Sequence, residues 1–128
     1  MLKTADHIDS VSLSRVDIPL RDDFVIARGR VQSVQNLYVR VQTKKGLIGY
    51  GEGTPFPELD GEYRATNERA IEQVSQLIIG QNIGNIQKTS RMIQEHFPTA
   101  VATRCGLELA MLDLKAKHFQ IPLHEMFG

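Results

Sequence analysis

At 128 residues, with 41% hydrophobic and 23% charged residues, the chain has the size and composition of one globular domain and is too short for a complete (β/α)8 barrel, which needs roughly 200 residues or more. Fifteen Lys and Arg balance fifteen Asp and Glu, with nine of each sign in the first 64 residues, so no basic stripe points to nucleic acid. No apolar run nears the roughly 20 residues that cross a bilayer, the first ten residues lack an apolar leader, and the lone Cys105 forms no internal disulfide, so a cytoplasmic protein without membrane or nucleic-acid partners is expected.

The first half carries strand signals. Val11 and Leu13 alternate with Ser10, Ser12 and Ser14, the period-two pattern of a half-buried strand. Val16 and Ile18 fall on the other parity, which predicts a bulge or strong twist near Arg15. Pro19 cannot donate into a ladder and is expected to end the strand, leaving residues 19–34 as a loop. Leu37, Val39, Val41 and Thr43 share one face of the next strand. Lys44-Lys45-Gly46 supplies a turn, and Ile48, Tyr50 and Glu52 continue the alternation as a hairpin. Residues 53–63, with Pro55, Pro57 and Gly61, read as a second loop.

The second half carries helix signals. Ile71, Val74, Leu77 and Ile78 line one face and Gly80 is a stop. Ile86, Thr89, Ile93 and Phe97 give a second helix ending before Pro98. Thr99 is a candidate cap for a third helix, whose stripe is read as Ala102, Cys105, Leu109, Leu112, Ala116 and Phe119, widened by Leu107, Ala110 and Leu114. Its small residues at 100–110 predict close packing against a neighbour. Strands followed by helices give an α+β fold, a three-stranded antiparallel sheet with a three-helix bundle.

Gly46, Gly49, Gly51 and Gly53 do not form a dinucleotide fingerprint, because they lie within a strand and a proline-bearing loop follows; they predict a hairpin beneath a close neighbour. His7, His96, His118 and His124 show no metal-ligand spacing. Cys105 reads as a buried, inert thiol. Lys115 and Lys117, two apart near a helix end, read as structural and not as a paired acid and base. Asp113 either pairs with Lys117 or makes a buried bond to another element. In Phe24-Val25-Ile26-Ala27-Arg28-Gly29-Arg30, the arginines are either solvated charges or a grip for a carboxylate, beside apolar Phe24 and Ile26.

Taken in order, Ile18-Pro19-Leu20, residues 24–29, Gly46, Gly49-Tyr50-Gly51-Glu52, Gly61-Glu62, Gly80, residues 107–117 and residues 121–128 resemble the N-terminal capping domain of the enolase superfamily, of the mandelate-racemase and muconate-lactonizing-enzyme type. Met111-Leu112 departs from the Leu-Trp frequent there. Residues 24–29 with Gly51-Glu52, Thr54-Pro55 and Pro57 look most like dipeptide epimerases of the L-Ala-D/L-Glu type, a pattern shared with N-acylamino-acid racemases, o-succinylbenzoate synthases and muconate cycloisomerases.

The resemblance implies an isomerase that abstracts a proton α to a carboxylate while Mg²⁺ stabilises the enediolate. Its lysines and metal ligands sit on a barrel expected to begin about where residue 128 falls, so residues 1–128 are expected to hold no catalytic residue and no metal of their own. What it implies for this region is substrate selection by loops 20–33 and 53–62, with Phe24, Ile26 and Phe56 as apolar walls. Arg28, or secondarily Arg30, would meet the distal carboxylate of a small substrate, an acidic dipeptide. A homo-oligomer is also implied. The alternatives are a stand-alone α+β interaction module and a subunit whose barrel lies on a separate chain.

Overall fold

A computed structural model describes residues 5–128; the expectation of no leader rests partly on residues 1–4, which lie outside them. Strands β1 (Ile8–Ile26), β2 (Gly29–Thr43) and β3 (Ile48–Gly53) form an antiparallel sheet in that order. Helices α1 (Pro57–Asp60), α2 (Arg64–Ile78), α3 (Ile86–His96), α4 (Val101–Phe119) and α5 (Leu123–Phe127) follow, with a 3-10 turn at Ile83–Asn85. The α+β architecture is as expected, with two short helices added to the three long ones.

The central strand β2 buries Leu37, Val39 and Val41, which stand opposite Gly53, Gly51 and Gly49 of β3. The glycines make room for α4. A methyl on Gly53 would lie 2.6 Å from the Ala102 carbonyl oxygen, and methyls on Gly51 and Gly49 would collide with the carbonyls of Gly106 and Ala110. The glycine run is therefore a track for a helix, as its context in the sequence predicts. Ile71, Val74 and Ile78 of α2, Ile86 and Ile93 of α3, and Leu107, Met111 and Leu114 of α4 complete one core. Gly80, at φ +84°, turns the chain after α2 as expected.

The edge of β3 is closed by α4. Asp113 accepts the Tyr50 N–H at 2.9 Å, and Lys117 donates to the Ile48 carbonyl at 2.7 Å and to Asp113 at 2.8 Å. Asp113 does both: it pairs with Lys117 and also bonds to a strand, although that bond lies at the exposed edge of the sheet and is not buried.

Four local expectations are corrected. Pro19 does not end β1, which runs on to Ile26, so residues 19–34 are mostly hairpin. An edge strand tolerates a residue that cannot donate outward. The irregularities fall at Asp9 and at residues 20–23, while pairing is continuous through Arg15. The parity change there marks where β1 leaves the core. On α4 the buried residues are Thr103, Gly106, Leu107, Ala110, Met111, Leu114 and Ala116, so Leu107, Ala110, Leu114 and Ala116 are buried as expected while Cys105, Leu109 and Phe119 are exposed, because the helix turns Gly106 and Ala110 to the glycine track. Thr99 does not cap α4 with its side chain; a carboxylate from residue 62 meets the helix start.

Replacing Gly51 by Ala forces a methyl into a helix backbone that cannot rotate away, and is expected to cost about 3 kcal/mol or more in denaturant unfolding. Gly29→Ala, whose methyl meets only the flexible Cγ of Glu58 at 3.2 Å, is expected to cost under about 1 kcal/mol.

Candidate functional site: a cleft under the hairpin arm

Beyond residue 15 the β1–β2 hairpin leaves the core as an arm. Arg15 and Asp17 lie on the face that carries Val11 and Leu13 further down, where no apolar layer remains to meet them. They meet α2 instead. Arg15 makes a two-pronged bond to Glu68, at 2.5 and 2.6 Å, and Arg64 pairs with Asp17. Each element gives one cation and one anion, so the four charges fix where the arm departs.

Between Pro19–Ser33 and Phe24–Val31 pairing, residues 20–23 oppose only Gln32. This three-residue excess bends the arm over the segment that follows β3. Phe24 and Phe56 meet there with ring centroids 6.4 Å apart. Leu20, Phe24, Val31, Val34, Thr54 and Phe56 line a mostly apolar cleft of about 480 Å³, with Asp22 and Asp23 at its side. Phe24 is 52% exposed, a large apolar side chain open to whatever enters.

The arginines fall differently from one another. Arg30 is bound to Asp23 at 3.0 Å, and Gln32 donates to the same carboxylate oxygen at 3.5 Å. Arg28, in the turn between β1 and β2, reaches the Leu59 carbonyl of α1 at 3.4 Å and is exposed. Ile26 is half-buried at the end of β1 and does not line the cleft. The structure thus brings Phe24 and Phe56 together, places Arg28 at the tip, and engages Arg30 in the arm itself. Leu20, Val31 and Val34 were missed by sequence reasoning. The signal available was the β-branched pair Val31 and Val34 at strand-like positions in a stretch read as a loop.

Lys115 and Lys117 do not converge. Lys117 is held at the β3 edge, with its ammonium 5.3 Å from the Tyr50 ring centre, while Lys115 lines a groove of about 670 Å³ with Lys88, Arg91 and Glu95 that shares no residue with the cleft. Among the described residues no three of His, Cys, Asp and Glu are grouped to hold a metal ion, so these residues do not fit a Mg²⁺ site, and no described helix is long and apolar enough to cross a membrane.

Residues 8–128 match the model of the mandelate racemase / muconate lactonizing enzyme N-terminal domain. The chain belongs to that family. An aromatic dipeptide epimerase of Herpetosiphon aurantiacus is 36% identical over 121 residues, covering 94% of this chain and 34% of that protein. A hydrophobic dipeptide epimerase of Enterococcus faecalis is 34% identical, with the same coverage of each. The crystal structure of the Enterococcus faecalis V583 dipeptide epimerase with Mg and L-Leu-L-Tyr superposes at a TM-score of 0.91 over 95% of this chain and 34% of that one. The L-Ala-D/L-Glu epimerase of Bacillus subtilis, at 24% identity and a TM-score of 0.91, shares the fold. The chain spans about a third of the length of the relatives it matches.

Two carboxyls are held below their ordinary range. Burial pushes Asp6 up, but hydrogen bonds from the Thr43 hydroxyl and the His7 and Lys45 amides, with the Lys45 charge, outweigh it. The Arg15 guanidinium lowers Glu68. Both therefore contribute stability above the unfolded carboxylate range, near pH 4, and lose it as the pH falls through their depressed folded values. Unfolding midpoints measured over a pH series are expected to be level above about pH 5 and to fall on acidification, with Asp6→Asn and Glu68→Gln each giving a shallower acid limb.

Proposed function

We propose that residues 1–128 cap and select the substrate of a dipeptide epimerase, closing over a reacting centre that a (β/α)8 barrel supplies from outside these residues. The observation that carries this reading is an apolar cleft between the β1–β2 arm and residues 54–56 in a chain matched from residue 8 to 128 by this family's N-terminal domain. Phe24 and Phe56 form walls for a side chain of the substrate, with Ile26 backing the end of the arm. A lid of this kind excludes water and strengthens electrostatic interactions at the reacting centre. Proton abstraction α to a carboxylate, with Mg²⁺ stabilising the enediolate, belongs to the barrel.

An apolar cleft with two carboxylates at its side favours an apolar or aromatic side chain, in keeping with the aromatic and hydrophobic dipeptides of the two relatives. A second reading, an acidic dipeptide, is favoured by one observation. Arg28 stands at the tip of the arm on a single long hydrogen bond and can turn toward a carboxylate, whereas Arg30 is neutralised by Asp23.

The test is a panel of dipeptides assayed by α-proton exchange in deuterated water, using the barrel-bearing protein. Phe56→Ala is expected to lower kcat/KM for large apolar dipeptides about tenfold to a hundredfold, leaving Ala-Ala nearly unchanged. Arg28→Ala is expected to lower kcat/KM for acidic dipeptides by a similar factor and spare apolar ones. Equal losses across the panel would mean these residues support the loops and do not read the substrate. Residues 1–128 alone are expected to exchange no α-proton; turnover above buffer would overturn the capping role.

A further inference from the structure

We propose that Glu62 is a positioning residue that fastens the cleft wall, residues 53–61, to the first turn of α4. The role of that wall in substrate selection rests on the capping function above; the fastening itself rests on contacts within this chain.

Helix α4 starts without a cap of its own. Ala100 occupies the cap position, no side chain there accepts a bond, and the first turn has no acidic residue. A helix start leaves amide donors without partners, and a carboxylate suits them both by hydrogen bonding and by charge. Here the carboxylate comes from 39 and 40 residues earlier. Glu62 accepts the Val101 N–H at 2.6 Å and the Ala102 N–H at 3.1 Å.

The wall is anchored at both ends on the same turn. At its beginning, Gly53 lies against the Ala102 carbonyl; at its end, Glu62 takes the Ala102 amide. Between them the chain is stiffened by local bonds. The Phe56 carbonyl accepts the Leu59 and Asp60 amides at 2.9 and 3.0 Å, so Phe56 is continuous with α1. Gly61, at φ +74°, turns the chain out of α1, and Asp60 accepts the Glu62 amide at 2.8 Å. The hairpin tip in turn rests on α1 through Arg28 and the Leu59 carbonyl. Freeing Glu62 would release α1, Phe56 and the rest of the arm tip together, while β3 stayed on its glycine track.

Capping alone would be a purely structural role, and a second substitution separates the two. Ala100→Asp gives α4 a local cap, and Glu62→Ala is then added to that background so that the helix start stays satisfied. Amide exchange of residues 59–61 in the chain is expected to speed up at least about tenfold in the double variant while the melting temperature stays near that of Ala100→Asp. In the barrel-bearing protein, the preference for large apolar dipeptides over Ala-Ala is expected to fall about tenfold. Unchanged exchange at 59–61, or full recovery of both exchange and preference by the local cap, would overturn the proposal. Failure of the unmutated barrel-bearing protein to turn over any dipeptide would sink the function proposed above, and the exchange result would then decide the role of Glu62 by itself.

Discussion

The structure depends on one match of spacing. Two residues of a strand advance about 6.6 Å and four residues of a helix about 6 Å. Gly53, Gly51 and Gly49 are two apart on β3, and Ala102, Gly106 and Ala110 are four apart on α4, so each glycine meets one helix carbonyl in turn. Contact this close is possible only where the strand has no side chains to hold the helix away. It fixes the helix axis along the strand, and with it the start of α4, which is where residues 53–62 are moored. Gly106 extends the logic to the helix side, since a methyl there would lie 3.1 Å from both Val39 Cγ2 and the Gly53 amide.

The sequence is most legible where local chemistry and tertiary packing agree. Leu37, Val39 and Val41 alternate because one face is buried, and Ile71, Val74 and Ile78 recur because one stripe is. Gly80 stops α2 for a reason local to its own backbone. Agreement fails on α4. The spacing suggests a stripe through Cys105 and Leu109, yet the face that packs sets Gly106 and Ala110 against the strand with Leu107, Met111 and Leu114 beside them, since close approach to the strand selects among several apolar faces. That choice needs the partner in view. Asp113 shows the same limit: a pair with Lys117 can be read from a spacing of four, but a bond to the Tyr50 amide 63 residues away cannot.

The candidate site is legible in part for a related reason. Phe24 and Phe56 stand out as apolar residues in segments rich in turn signals, and they do meet. The arm that brings them together is concealed by Pro19 and by the three extra residues after it, which break the alternation that marks a strand. Its placement comes from charges, Arg15 with Glu68 and Asp17 with Arg64, that join positions 47 and 53 apart and have no signature in sequence. Glu62 is hidden by the same kind of distance, because a cap is ordinarily sought beside the helix it serves.

The closed edge of β3 has a consequence for how copies of this chain can meet. An exposed edge strand offers unpaired amides and carbonyls to any other strand. On β3 the outward Tyr50 amide and Ile48 carbonyl are already taken by Asp113 and Lys117, so the sheet cannot lengthen on that side without dismantling an ion pair. On the other side, the first residues of β1 bond to residues 80–82, and further out the strand is interrupted at Pro19 and residues 20–23. Among the described residues of this edge, 10–18 are left as a template for a foreign strand. With one edge closed and the other open, copies can join in pairs through β1, but a shared sheet cannot propagate from chain to chain.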